Sequence, residues 1–346
     1  VAEDSLTVRE LLVEILESDP QIKVVGQAKN GVEAVDLAIQ LRPDLVTMDI
    51  HMPIMDGFEA TKEIMVRAPA PIVLVSSSVS RADVELSFDA MRAGALMVVA
   101  KPDNPRSALF DGRREQFLGM VKAMSQVKVV RRWASPTQVV PPPGRPPTAG
   151  AKPRLVAIAA STGGPGALQR LLADLPRDFP VPILVVQHIA TGFVDGLASW
   201  LGGSCDLRVK VAESGEALRE RTVFLAPDDR HLGVSRDARV VLADAAPVDG
   251  FRPSATHLFE SAAQAFGASV AAVILTGMGS DGIVGLRAVK AAGGVVLAQD
   301  EATSVVYGMP RVAFEAGVVD AVVPIGEIGS RLSMLVAGGN NADALD

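Results

Sequence analysis

One cysteine, Cys205, stands in 346 residues. It cannot form an internal disulfide, and no base or metal-ligand cluster adjoins it in sequence, so it reads as a structural thiol suited to a reducing compartment. Basic residues are in the minority, with 33 Lys and Arg against 40 Asp and Glu and a net charge of -7. That balance makes the chain a poor candidate for non-specific binding to nucleic acid or to an anionic membrane. Long apolar runs are missing too. None reaches the roughly 18 residues that a spanning helix needs. The first residues carry acids where a signal peptide would need basic side chains. The expected location is cytoplasmic, with no direct membrane insertion.

Hydrophobic residues make up 49% of the sequence, enough for two cores in a chain of this length. The composition changes sharply over 133–153, WASPTQVVPPPGRPPTAGAKP, where proline and glycine dominate and buried periodicity stops. This stretch reads as a solvated, semi-extended joint. The expected division is a first domain over 1–122, a linker over 123–151 and a second domain over 152–338.

The first domain alternates apolar strands, expected at 22–28, 44–49, 70–76 and 96–100, with amphipathic helices such as 6–18 and 31–40. That pattern predicts a doubly wound parallel sheet. A strand should also precede Glu3 and Asp4, for which the sequence supplies only Val1 and Ala2. The second domain repeats the pattern on a larger scale, with strands at 155–159, 183–187, 223–225, 270–275 and 295–298. Segments 232–235 and 239–242 read as a β-hairpin insert, and 253–266 and 282–292 as helices. Both domains are therefore α/β, and function in such sheets sits beyond the C-terminal ends of the strands.

In the first domain Glu3, Asp4 and Asp49 end adjacent strand positions. Carboxylates that close repel one another and call for a cation, and hard oxygen ligands suit Mg2+. Ser76 and Lys101 end later strands and could follow an added phosphoryl group. A cis bond before Pro102 would aim the lysine amine. Together these residues suggest a phosphorylation switch.

In the second domain three apolar runs each stop at a chemically active side chain: Ser161 in VAIAASTGGPGAL, His188 in VPILVVQHIATGF and Asp281 in AVILTGMGSDG. A serine needs a base within reach and a third group to orient that base. Small residues after Ser161 allow a tight turn into a helix whose free N–H groups could face an oxyanion. Other readings stay open at this point. STGG could cradle an anion without chemistry. His231 and His257 rival His188 as the base, and Asp281 could cap the helix that follows it.

Segments EDS at 3–5, MDIHMPIMDG at 48–57, VSS at 75–77 and AKP at 100–102 resemble response-regulator receiver domains. The resemblance implies a flavodoxin-like fold in which Asp49 accepts a phosphoryl group from a histidine kinase. It implies Mg2+ held by Glu3, Asp4, Asp49 and the backbone carbonyl of His51, with Ser76 and Lys101 sensing the phosphoryl group. Glu3 stands where an aspartate is commoner. Phe88 falls in the region of a switch aromatic.

IAASTGGPGAL at 158–168, VVQHIATGF at 185–193, LAPDDRHLGV at 225–234, FRPSATHLFESAA at 251–263, LTGMGSDG at 275–282 and AQDEATSVVYGMPRVA at 298–313 are similar to the catalytic domain of chemotaxis protein-glutamate methylesterases. This implies hydrolysis of glutamate γ-methyl esters on methyl-accepting chemoreceptors by Ser161, His188 and Asp281, without a cofactor for the ester step. Thr162 would help to position His188, and the backbone N–H near Met278 would face the oxyanion. Arg252 is a candidate contact for acidic receptor segments. The segment led by Phe251 is more often led by tyrosine or histidine.

The same chemistry would deamidate receptor glutamines. The protein would be recruited to receptor arrays, and the receiver would cover the Ser161 mouth until phosphorylation shifts the population. A scaffold with a dead hydrolase fold is disfavoured by the intact trio. A transcriptional regulator is disfavoured by the acidic, glycine-rich second half.

Overall fold

The structure is a computed structural model that describes residues 1–76, 81–101, 110–127 and 151–338. Pro102 and most of the expected linker lie outside the described residues. The chain forms two compact units, Val1–Ser135 and Pro136–Asp346. No helix among the described residues is long and apolar enough to cross a membrane.

The first unit runs α1 (Leu6–Glu17), α2 (Gly31–Leu41), β1 (Val46–Asp49), α3 (Gly57–Arg67), β2 (Ile72–Ser76), α4 (Arg81–Ala93), β3 (Met97–Ala100) and α5 (Phe110–Ser125). Its three strands pair in parallel in that order, with Asp49 opposite Val75 and Ser76 opposite Ala100. β1 and β2 are buried throughout, which is why they read as unbroken runs and not as alternation. Asn30 and Asp56 accept from the N–H groups of Glu33 and Glu59, fixing the starts of α2 and α3. Phe88 is fully buried in the core of this unit.

The strand expected over 22–28 does not form as a regular element. Pairing there is confined to Ala2, which bridges Ala28 on one side and Met48 on the other. The backbone bonds from Glu3 N–H to the Ala28 carbonyl and from Ala28 N–H to the Val1 carbonyl complete it. A strand exists only where a neighbour supplies partners. Residues 22–26 instead line a cavity of about 310 Å³ facing Pro43, Leu45 and Val46.

The second unit runs β4 (Leu155–Ala160), α6 (Gly164–Ala173), β5 (Ile183–Gln187), α7 (Val194–Gly202), β6 (Arg208–Val211), β7 (Thr222–Leu225), β8 (His231–Val234), β9 (Val240–Ala243), α8 (Ala255–Phe266), β10 (Val270–Ile274), α9 (Ile283–Ala291), β11 (Val295–Gln299), α10 (Met309–Glu315), β12 (Ala321–Val323) and α11 (Ile325–Ala337). Seven parallel strands are ordered β12-β11-β10-β4-β5-β7-β6. β8 and β9 form the antiparallel hairpin expected from the sequence.

From β4 the chain first builds one side of the sheet through β5, then returns to build the other through β10. Such a reversal opens a crevice at the C-terminal strand ends. Alternate residues Leu155, Ala157 and Ala159 share one buried core with Ala272 and Ile274 of β10. Phe259 of α8 and Leu286 of α9 cover them. Burying a side chain such as Phe259 contributes roughly 1.5–3 kcal/mol. This core fixes α8 and α9, and with them the loops that carry the site.

Candidate active site and acidic cluster

β10, β4 and β5 are neighbours, and their ends are level. Ala159 pairs with Ile274 and with Val186, and Ala160 pairs with Gln187. The ladder continues one step further. Ser161 N–H donates to the Thr276 carbonyl at 3.0 Å, and His188 N–H to the Ala160 carbonyl at 2.9 Å. Ser161 and His188 therefore leave adjacent central strands side by side. Asp281 arrives on the loop that follows β10.

Two glycines make this close approach possible. Gly163, with φ of 75°, turns the chain from Ser161 into α6. Gly277 lies against Ser161: a Cβ built there would sit 2.7 Å from Ser161 Cβ and 2.5 Å from Met309 Sδ. The N–H groups of Thr162, Gly163 and Met278 donate to no protein atom among the described residues. Two of these three lie at the start of α6, where the helix end favours negative charge. Met278 follows Gly277 directly.

Asp281 is buried and its carboxylate is saturated. Oδ2 lies 3.0 Å from His188 Nε2 and accepts from Ala255 N–H at 2.7 Å. Oδ1 accepts from Ser254 Oγ at 2.8 Å and from Thr256 N–H at 3.0 Å. Burial alone would raise its pKa. The imidazole and the two backbone donors outweigh burial and bring it down to about 2. Asp281 thus stays ionised at any working pH. It does cap a helix, but the helix is α8. The one that follows it, α9, is led by Gly282.

His188 uses Nε2 toward Asp281, and its Nδ1 is buried without a partner. Phe251 stacks on the ring, with centroids 4.3 Å apart and planes 10° from parallel. Ser161 Oγ and His188 Nδ1 are not hydrogen-bonded to each other. Of the rival bases, His231 is fully buried with both nitrogens engaged. Nδ1 accepts from Ser254 N–H at 3.2 Å and Nε2 lies 3.1 Å from the Ala246 carbonyl. His257 stacks on His231, and burial, followed by the coupling to His231, pushes its pKa down.

Thr162 is buried, but its hydroxyl makes no hydrogen bond to His188. Its carbonyl is the engaged group, accepting from Thr276 Oγ1 at 2.9 Å. Met278 is 41% exposed. Arg252 is not a free cation: its guanidinium donates to Asp229 Oδ1 at 2.7 Å and to the Ala245 carbonyl at 3.2 Å.

Two supporting residues escaped the sequence reading. Gln187 Nε2 donates to the carbonyls of Ser161 and His188 at 2.7 and 2.8 Å, tying the two strand ends together. A polar residue closing an apolar run just before His188 was the available signal. For Ser254 the available signal was a serine at the start of α8, whose N–H it caps; its other partner, Asp281, lies 27 residues away.

In the first unit Lys101 Nζ lies 2.7 Å from Glu3 Oε2 and 3.0 Å from Asp49 Oδ2. Glu3 and Asp49 are buried and Asp4 is exposed; one oxygen from each of the three lies within 4.8 Å of the others. Burial, with Asp49 adding to it, raises the Glu3 pKa against the pull of Lys101. For Lys101 burial works downward, but the two carboxylates prevail and raise its pKa. Asp49 Oδ1 accepts from Ile50 N–H at 2.8 Å, and Ser76, at the end of β2, is buried. The side chain of His51 is exposed and outside the cluster. Three hard oxygen donors with one side open to solvent fit a Mg2+-dependent phosphorylation site.

A parallel-sheet unit with an acidic pocket and a lysine, joined to a unit with serine, histidine and aspartate on its central strand ends, defines a class: a receiver coupled to a serine-type hydrolase. The comparisons with known proteins agree. Residues 1–109 match the response regulator receiver domain model and residues 156–332 the CheB methylesterase model. The chain is 55% identical over 341 residues to protein-glutamate methylesterase/protein-glutamine glutaminase 4 of Myxococcus xanthus, covering 98% of this chain and 96% of that one. It is 50% identical to the third such protein of Anaeromyxobacter dehalogenans, covering 96% and 97%. The crystal structure of the Thermotoga maritima CheB methylesterase catalytic domain is similar, with a TM-score of 0.52 and 41% identity. That likeness covers 53% of this chain and 99% of the other.

The chain belongs to the CheB methylesterase family, with a receiver domain fused to the catalytic domain. Its catalytic half is a serine-type ester hydrolase.

Proposed function

We propose that the protein hydrolyses glutamate γ-methyl esters on methyl-accepting chemoreceptors, and that phosphorylation of its receiver by a histidine kinase activates it. The observation that carries the catalytic part is the His188 Nε2 contact with Asp281, which leaves Nδ1 as the ring nitrogen available to a serine. Ser161 Oγ attacks the ester carbonyl while Nδ1 takes the hydroxyl proton. Asp281 holds the tautomer and balances the imidazolium. The oxyanion is met by the N–H of Met278 and by those at the start of α6.

Collapse of the tetrahedral intermediate breaks the bond to the methoxy oxygen, which leaves as methanol with the proton from Nδ1. Water, deprotonated by Nδ1, then attacks the acyl-serine and restores Ser161 and a glutamate. The hydroxyl-to-Nδ1 hydrogen bond forms when substrate enters. Glutamine side chains would follow the same path with ammonia leaving, in keeping with the paired activities in the names of the relatives.

In the receiver, an Asp49 oxygen attacks phosphorus as the P–N bond of a kinase phosphohistidine breaks. Glu3, Asp4, Asp49 and the His51 carbonyl would hold Mg2+, which supplies charge neutralisation for that transfer. Lys101 exchanges its Asp49 contact for a phosphoryl oxygen, and Ser76 follows. Functional boundaries at 1–122, 123–151 and 152–338 go with this reading, as does recruitment to receptor arrays in the cytoplasm.

The test is methanol release from methylated receptor membranes, with and without a small phosphodonor and Mg2+. Release that is abolished in Ser161→Ala and rises with phosphodonor except in Asp49→Asn is expected. Release that survives Ser161→Ala would refute the catalytic reading.

A further inference from the structure

Segment 248–256 touches both partners of the nucleophile. Its Ser254, Ala255 and Thr256 hold Asp281, and Phe251 covers a face of His188. Phe251 is itself fixed at the backbone. Its N–H donates to the Val248 carbonyl at 2.9 Å and its carbonyl accepts from Val248 N–H at 3.1 Å. The neighbouring Arg252 is anchored to Asp229 and Ala245. The phenyl ring is therefore presented to the imidazole by a braced strand-like turn.

A near-parallel stack at 4.3 Å has a charge preference. Two neutral rings face to face set negative π-clouds against each other, whereas a cationic ring over a phenyl face is attracted to it. Charged groups lie at and near His188 and its stacking partner among the described residues. Asp281 faces Nε2. Asp228 binds Gly192 N–H in the loop after β5, and the Arg252–Asp229 pair flanks Phe251. Phe251 supplies the uncharged face, and Nδ1 has no partner among the described residues.

We propose that Phe251 is a positioning residue for ester hydrolysis: by stacking on His188 it holds the ring with Nδ1 free for Ser161 and favours the imidazolium that forms as the serine proton is taken. This rests on the assignment of His188 as the base. The stack blocks rotation of the ring away from Asp281, and it stabilises the cation formed in the transition state more than the neutral ring that precedes it. Phe251 touches no reacting atom and acts only through the imidazole.

The experiment compares Phe251→Leu, Phe251→Tyr and His188→Gln in the full-length chain. Methanol release is measured across pH, and the imidazoles are titrated by 15N NMR; His188→Gln assigns the His188 signal. In Phe251→Leu the proton affinity of His188 should fall about two- to fivefold. The acid limb of kcat should move to lower pH by the matching amount, and the kcat plateau should drop while KM changes little. Phe251→Tyr, which keeps the ring, should restore both.

A role limited to packing would lower activity or stability with the His188 titration unmoved, and that result overturns the proposal. So does failure of Phe251→Tyr to restore the titration. Activity persisting in His188→Gln would sink the assignment of the base itself, and is read separately from the NMR shift.

Discussion

Replacing Gly277 by alanine puts a methyl carbon into space that Ser161 already occupies. The new Cβ would stand 2.7 Å from Ser161 Cβ and 3.1 Å from Ser161 N, with Met309 Sδ at 2.5 Å. Carbon atoms rest at about 3.5–4.0 Å, so Ser161 or the 277 backbone must move by roughly 1 Å. Met309 can yield by rotating its side chain. Ser161 cannot yield freely, because its N–H is bound to the Thr276 carbonyl and its own carbonyl to Gln187. A displacement of about 1 Å at a reacting centre can cost around 100-fold in rate. Overpacking of this kind costs about 1–3 kcal/mol in stability.

Gly277→Ala should therefore fold with a lowered Tm and release methanol about 100-fold more slowly. Labelling of Ser161 by a fluorophosphonate should slow in parallel, which separates a misplaced hydroxyl from a lost receptor contact. Wild-type turnover with an unchanged Tm would refute the reasoning, since it would mean that the turn carrying Ser161 is compliant.

Four further outcomes follow from the geometry. Asp281 has a pKa of about 2 in the fold against 3.8 for the free side chain. The unfolded chain thus binds more protons across that window, and the carboxylate contributes about 2 kcal/mol above pH 4 that is lost as pH falls through 2. Denaturant titrations from pH 5 to pH 2 should show a shallower decline for Asp281→Asn, whose turnover should fall on the order of 10³–10⁴-fold. Ser254→Ala removes a hydrogen bond to a charged group and should cost about 1.5–3 kcal/mol, measured by urea unfolding. Lys101→Met leaves Glu3 and Asp49 buried without their cation and should cost about 3–5 kcal/mol in Mg2+-free buffer, with much of the Tm regained on adding Mg2+. Phosphodonor should leave the rate of Asp49→Asn at the basal level in the methanol assay.

Ser161, His188 and Asp281 stood out as candidates because parallel strands announce themselves. Runs such as VAIAA, ILVVQ and VAAVI are continuous because both sheet faces are covered; Ser161 and His188 follow the first two directly, and Asp281 comes on the loop after the third. The edge strands were not legible. β6, RVKV, is exposed at Arg208 and only partly buried beyond it, and β12 has three residues. Neither carries the apolar signal of a central strand.

The segment at 22–28 failed in the opposite sense. Its residues suit a strand, but pairing is a property of neighbours, and among the described residues it is limited to contacts of Gly26 and Ala28 with Val1–Glu3. The partners of Asp281 were illegible for a similar reason. Ser254 lies 27 residues from it, and the α8 backbone N–H groups have no sequence signature at all. His231, a plausible base by sequence, is the acceptor that holds Ser254 N–H.

Asp281 closes the start of α8 with the same carboxylate whose Oδ2 holds the imidazole, so its contribution to the fold and its contribution to turnover cannot be varied separately. Active-site groups are commonly a burden on stability. This one stabilises the native state, and Ser161, whose hydroxyl bonds to nothing in the resting site, does not. Drift toward an inactive but folded descendant would therefore be asymmetric. The serine could be lost at little cost to the fold, whereas loss of the aspartate would loosen a helix of the core. A survey of catalytically silent descendants of this chain should find the carboxylate outlasting the nucleophile.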